Sequence, residues 1–129
     1  MDWNLDSSRP IWPQLEEQLK RMIVAGQFPP GEQFPTVREL AEDARVNPNT
    51  MQRALSQLEQ EGLLVTMRTS GRKVTEDAAH IEELGRKFME ERIACFCDEI
   101  AEMGFTTEQA IETIRRIEGE RQRGGDSNE

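Results

Sequence analysis

Two helix-start signals eleven residues apart constrain this chain more than any other feature. In "FPTVRELAEDARVNPNTMQRALSQLEQEG", Thr36 and Glu39 form a T-x-x-E capping box. The hydroxyl accepts the Glu39 N–H and the carboxylate reaches back to the Thr36 N–H. Asn47 reads as the N-cap and Pro48 as the N1 residue of a further helix, where a missing N–H costs nothing. Val37, Leu40, Ala41 and Ala44 make the buried side of the first of these helices, so about three residues remain as a link. The pattern predicts two short helices joined by a tight turn.

The helix after Pro48 has Met51, Ala54, Leu55 and Leu58 as its apolar stripe and Gly62 as its stop. Asn49, Thr50, Gln52, Arg53, Ser56 and Gln57 point outward. Upstream, Ile11, Leu15, Leu19, Met22 and Ile23 predict another helix, started by Pro10 and Pro13 and ended by Gly26. Downstream, "LLVTMRTSGRKVT" changes period. Leu64, Val65 and Met67 precede a polar "RTSG", and Lys73, Val74 and Thr75 follow it, which reads as a hairpin. Residues 8–76 are therefore expected to form a helix-turn-helix with a wing.

From Glu76 the chain turns acidic. Ile81, Leu84, Phe88, Met89, Ile93, Phe96, Ile100 and Met103 recur at threes and fours up to Gly104. A second helix follows in "FTTEQAIETIRRIEG", with Thr106 and Gln109 as a capping box, Phe105 and Ala110 as a hydrophobic staple, and Gly119 as its expected end. A two-helix hairpin cannot enclose both apolar faces, so residues 77–119 are expected to pair with a second copy. The seam would hold Ile81, Leu84, Phe88, Ile93, Phe96, Ile100, Ile111, Ile114 and Ile117. The alternative folds both helices back on the winged domain. Residues 120–129 lack apolar content and are expected to be a disordered tail. The fold class is mainly α with a small β-hairpin wing.

Several functional classes are disfavoured. The start lacks the basic and apolar regions of a signal peptide, and no apolar run approaches the roughly 18 residues of a membrane span, so a cytoplasmic protein with no membrane partner is expected. Cys95 and Cys97 lie about 200° apart around their helix and can neither pair nor share an ion. They read as structural thiols, and His80 as an exposed helix residue. No metal or other cofactor is expected. No activated nucleophile or phosphate-binding glycine loop suggests an enzyme, and Glu90 and Glu91 read as a solvated face rather than catalytic residues. Within the two-helix part a small-molecule effector would have room only at the dimer seam near Phe88 and Phe96, whose rings read as core; control through expression level or a ligand on the winged part is the alternative.

The formal charge of -9 is unevenly spread. Residues 1–76 carry 9 Lys and Arg against 11 Asp and Glu, a net of -2, and residues 77–129 carry 7 against 14, a net of -7. Within the first part, Arg38, Arg45, Arg53, Arg68, Arg72 and Lys73 all fall on the helix-turn-helix or wing. Docking on a duplex needs only such a local basic face. The competing reading is an adaptor whose winged helix binds protein instead.

The stretch "PIWPQLEEQLKRMIVAGQFPPGEQFPTVRELAEDARVNPNTMQRALSQLEQEGLLVTMRTSGRKV" resembles the winged helix-turn-helix of GntR-family bacterial transcription regulators. The markers are "I..G.F.PGE.FPTVRELA", "VNPNT" and "RAL..LE.EGLL". The short two-helix remainder is similar to the YtrA subfamily, which implies a dimeric repressor of a palindromic operator, often beside ABC-transporter genes. By the same resemblance Arg38 would reach the backbone or a base edge. Asn49, Thr50 and Arg53 would face the major groove with Asn47 and Gln52 beside them, Thr50 gripping a phosphate. Arg68, Thr69, Ser70, Arg72 and Lys73 would form the wing contact. Pro48 and Gln52 stand where many members have arginine, so the operator sequence does not follow by analogy. The wing lacks the first glycine of the common Arg-Gly-x-Gly pattern, which predicts a tip of different shape.

Overall fold

Four helix ends in this chain close by one hydrogen-bonding pattern, and that pattern spaces the elements of the fold. The computed structural model describes the backbone to residue 126 and side-chain surroundings to residue 124. The elements are α1 (Ile11–Val24), α2 (Val37–Ala44), α3 (Pro48–Gln60), β1 (Leu64–Met67), β2 (Gly71–Val74), α4 (Ala78–Glu102) and α5 (Thr107–Asp126). After α1, α3 and α4, the N–H groups of Gln27, Leu63 and Phe105 reach back to the carbonyls of Met22, Leu58 and Ile100 at 2.9, 3.0 and 3.2 Å. A left-handed glycine supplies the reversal each time. After α2 the same closure, Val46 N–H to Ala41 O at 3.0 Å, is built on Arg45 at φ 58°. Arg45 is the one non-glycine residue with positive φ among those described.

Both predicted caps of the helix-turn-helix form. Thr36 Oγ1 accepts from Glu39 N at 3.1 Å and Glu39 Oε2 from Thr36 N at 3.3 Å. Asn47 Oδ1 accepts from Asn49 N at 2.7 Å, with Pro48 beginning α3. Leu15, Leu19, Leu40, Met51, Leu55 and Leu58 are fully enclosed between the first three helices. Each such leucine contributes roughly 1.5 to 3 kcal/mol by leaving water.

The wing pairs antiparallel from Leu64↔Val74 to Met67↔Gly71. Its turn, Arg68 to Ser70, contains no positive φ, and Gly71 at φ 77° provides the single left-handed residue that it uses. A third extended segment was not anticipated. Gln33 bridges to Lys73, Phe34 N donates to Arg72 O at 2.8 Å, and Val74 N to Glu32 O at 2.9 Å. Lacking alternation and interrupted by Pro35, it carried no strand signal.

Residues before 8, outside the predicted domain, are ordered against α1. Gln18 and Gln14 sit one helical turn apart and each grips the backbone in both directions. Gln18 bonds Asn4 N and O at 3.0 and 2.7 Å, and Gln14 bonds Asp6 N and O at 2.7 and 2.9 Å. Trp3 Nε1 donates to Asp43 Oδ2 at 2.7 Å, fastening this strap to α2. That hydrogen bond holds the Asp43 carboxyl below its ordinary value.

The chain divides into two compact units, Met1–Arg86 and Lys87–Glu129. The first takes in the beginning of α4 as far as Arg86, ten residues beyond the boundary expected at residue 76. Ile81 is buried in the core, which takes it out of the expected dimer seam, and Leu84 is partly buried against that core. The short link after β2 brings the first turns of α4 to the ends of α1 and α3, where Gly85 approaches Val24 and His80 approaches Glu61. His80 is half-buried rather than exposed, its Nε2 2.7 Å from the Glu61 carbonyl oxygen at the end of α3. Helix C-termini leave such carbonyls in need of donors.

In the second unit the capping box of α5 forms, with Gln109 N to Thr106 Oγ1 at 3.1 Å and Thr106 N to Gln109 Oε1 at 2.9 Å. α5 does not stop at Gly119 but runs on to Asp126, so residues 120–126 of the expected tail are helical, and 127–129 lie outside the described residues. A mid-helix glycine costs about 1 kcal/mol without forcing an end. Arg116–Glu120 at 3.1 Å and Arg121–Glu118 at 3.2 Å run along the continuing helix. Cys95 and Cys97 are both exposed on α4 rather than enclosed.

Candidate nucleic-acid interface

The capped starts of α2 and α3 border the wing tip. An open cleft of about 420 Å³ is lined by the cap Thr36 and by Arg38 of α2, Pro48 of α3, and Ser70 and Gly71 of the wing. A neighbouring hollow of about 340 Å³ brings Arg45 of the turn beside Asn47 and Thr50. The α2–α3 turn, the beginning of α3 and the wing thus share one surface, as a groove-reading arrangement requires.

The cations expected there fall into two groups. Arg38, Arg45, Arg53 and Arg68 are exposed and form no ion pair among the described residues. Arg72 is instead paired with Glu59, and Lys73 Nζ lies 3.2 Å from Glu76 Oε1. Both wing cations are mostly covered, and the Arg72 pair ties β2 to α3. Glu59 lies in the last turn of α3, and its sequence separation from Arg72 conceals that the wing folds back onto it.

Ahead of α3, the exposed Asn47 spends its side-chain oxygen on the cap. Asn49 is exposed, Thr50 half-buried, and Gln52 donates to Ser56 Oγ at 3.2 Å. Arg53 does not simply project into solvent, for its Cζ lies 4.5 Å from the ring centroid of Trp12 on α1. At the wing tip Thr69 and Ser70 are exposed, and the Ser70 carbonyl accepts from Gln33 Nε2 at 2.9 Å. Trp12 and Gln33 escaped the sequence reading because neither belongs to an apolar stripe or a basic cluster.

The remaining predicted residues lie in the second unit. Phe88 and Ile100 are half-buried, whereas Ile93, Phe96, Ile111, Ile114 and Ile117 are exposed. Phe96, Ile100, Ile114 and Ile117 line an apolar cleft of about 710 Å³ between α4 and α5. Among the described residues no cluster of His, Cys, Asp and Glu could hold a metal, and no helix is long and apolar enough to cross a membrane.

Known proteins share this arrangement. Residues 13–74 match the family model described as "Bacterial regulatory proteins, gntR family". The HTH-type transcriptional regulator YhcF of Bacillus subtilis (strain 168) is 36 % identical over 115 residues, 89 % of this chain and 95 % of that protein. The HTH-type transcriptional repressor YtrA of the same organism is 33 % identical over 124 residues, 95 % of each chain. Among solved structures, a GntR family transcriptional regulator from Listeria monocytogenes superposes with a TM-score of 0.82 at 33 % identity, covering 87 % of this chain and 98 % of that one. With the relatives matched over nearly their whole length and the capped helix pair and wing in place, this chain belongs to the gntR family of bacterial regulatory proteins.

Proposed function

We propose that this chain is a cytoplasmic, homodimeric, sequence-specific DNA-binding repressor that acts on a two-fold-symmetric operator close to its own gene. The observation that carries the reading is the set of exposed, unpaired arginines, Arg38, Arg45 and Arg68, around the polar edge of α3. These cations would hold phosphates while α3 enters the major groove. Asn49 and Gln52 suit adenine and Arg53 suits guanine, with the Asn47 amide and Thr50 placed to contact the flanking backbone. Arg72 and Lys73 shape the wing, while Arg68, Thr69 and Ser70 would touch the duplex. The repressor sense follows the relative YtrA, whose name carries it.

Homodimerisation is supported by the apolar surface of the second unit, where Ile93 is 51 % and Ile114 46 % exposed. Exposed apolar side chains grouped around one cleft, as Phe96, Ile114 and Ile117 are, fit an interaction site. Two copies of α3 would then enter successive major grooves about 34 Å apart.

The test is fluorescence anisotropy with a labelled duplex from the region upstream of the gene, at salt concentrations between 50 and 200 mM. Three phosphate contacts per subunit predict a log–log salt slope of about -5 for the dimer. Absence of binding, or binding indifferent to salt, overturns the reading.

A further inference from the structure

We infer that Trp12 is a positioning residue for base reading, holding the Arg53 guanidinium in place through the face of its indole. The inference rests on the DNA-binding function proposed above and extends it to a residue outside the helix-turn-helix.

Three observations carry it. Arg53 Cζ lies over the Trp12 ring at 4.5 Å from its centroid, well inside the range of a cation–π contact. Arg53 is exposed and has no ion pair among the described residues, so the ring is what orients its charge. Trp12 is half-buried, yet it is absent from both the core and the side chains packed against it, and its Nε1 has no hydrogen-bond partner among the described residues. An indole that neither fills the core nor satisfies its N–H is poorly explained by packing alone.

The geometry suits recognition. A guanidinium held over an aromatic face uses that face for the contact, while its five N–H donors lie in its own plane. The donor edge that would meet guanine O6 and N7 therefore remains free while the ring restrains the side chain. A free arginine loses rotamer freedom when it docks, and an arginine already restrained loses less. Leu15 and Leu19, fully buried on α1, fix the helix that carries the ring.

The experiment measures binding of wild type, Trp12→Leu and Trp12→Phe to the upstream operator and to random duplex at one salt concentration. The same three forms are made in an Arg53→Ala background. Trp12→Leu should weaken operator binding about 3- to 10-fold while leaving random binding and Tm unchanged. Trp12→Phe should restore most of the loss, and Trp12→Leu should cost nothing further once Arg53 is gone. In a Trp3→Phe background, Arg53→Ala should also increase acrylamide quenching of Trp12 emission. A wild type that binds the operator while Trp12→Leu binds equally well, weakens both duplexes alike, or acts undiminished in the Arg53→Ala background, overturns this inference alone. Unchanged quenching does the same. A wild type that binds no upstream DNA overturns the DNA-binding reading and this inference with it.

Discussion

Arg72 on β2 is ion-paired with Glu59 on the last turn of α3, and the other oxygen of that carboxylate accepts from Thr66 Oγ1 on β1 at 2.9 Å. One carboxylate thus ties both strands of the wing to the reading helix. Removing it strands a largely covered guanidinium, so Glu59→Ala should lower stability by about 1 to 3 kcal/mol. Binding to cognate and random DNA should weaken together as the wing loosens. Arg68→Ala, at the exposed tip, should leave the urea midpoint unchanged and reduce the salt slope by about 1 per subunit. Equal urea midpoints for Glu59→Ala and wild type would show the pair to be dispensable.

Arg45 carries the left-handed position that glycine carries after α1, α3 and α4. Its Cβ makes that conformation unfavourable by roughly 1 kcal/mol. Arg45→Gly should raise thermal stability by up to about 1 kcal/mol and still weaken binding to all DNA, because an unpaired cation beside Asn47 and Thr50 is lost. Calorimetry and anisotropy on the same preparation check both halves, and a fall in Tm would contradict the strain argument.

The local signals in the sequence were reliable where physics is local. The Thr36–Glu39 box, the Asn47 cap and the Thr106–Gln109 box each involve neighbours three residues apart or fewer, and all three form. Long-range pairings left no such trace. Nothing in the spacing of Glu59 and Arg72, Trp12 and Arg53, or Trp3 and Asp43 announces that they meet. The periodicity of α4 was right, but periodicity does not name the partner of an apolar face, so Ile81 reads as a dimer residue although it is buried in the core of its own chain. Gly119 misled because a glycine signals a helix end only when the chain beyond it lacks helical support.

Gly85 allows α4 to lie against α1. A Cβ there would sit 2.7 Å from Val24 Cγ1, closer than side chains tolerate. Gly85→Ala should therefore destabilise the first unit by about 1 to 3 kcal/mol, despite alanine's better helix propensity. Val24→Ala in the same chain should recover part of the loss by vacating the space. If Gly85→Ala instead raises Tm, the close packing is not what the geometry indicates.

Lys20 Nζ is 3.0 Å from both Glu16 Oε1 and Glu61 Oε2. Burial, reinforced by the nearby Glu61, pushes the Glu16 carboxyl above its ordinary value. A raised carboxyl stabilises the fold below the unfolded value near 4.5 and loses that contribution as pH rises through the folded value. Asp6 and Asp43, lowered by hydrogen bonds from Ser8 and Trp3, act oppositely, and their contribution fades as pH falls below 3.8. Glu16→Gln should consequently stabilise the protein at pH 7, with the gain shrinking as pH falls towards 4.5. Urea titrations at both pH values decide it, and a gain that grows on acidification would reverse the sign.

The two groups of apolar residues on α4 and α5 should respond in opposite ways. Ile81 is 8 % exposed in the core, so Ile81→Ala should cost about 2 to 5 kcal/mol of stability in the winged unit. Ile114 is 46 % exposed beside Phe96 and Ile117, so Ile114→Glu places a charge on surface that the proposed second copy would cover. It should convert the dimer to monomer in sedimentation equilibrium while leaving the winged unit folded. Operator binding should fall by more than tenfold, because one monomer presents one α3 and loses the linkage between half-sites. Binding to random duplex by the single winged unit should persist. If the Ile114→Glu protein sediments as wild type does, the second copy lies elsewhere and α4 and α5 need another partner for their exposed face.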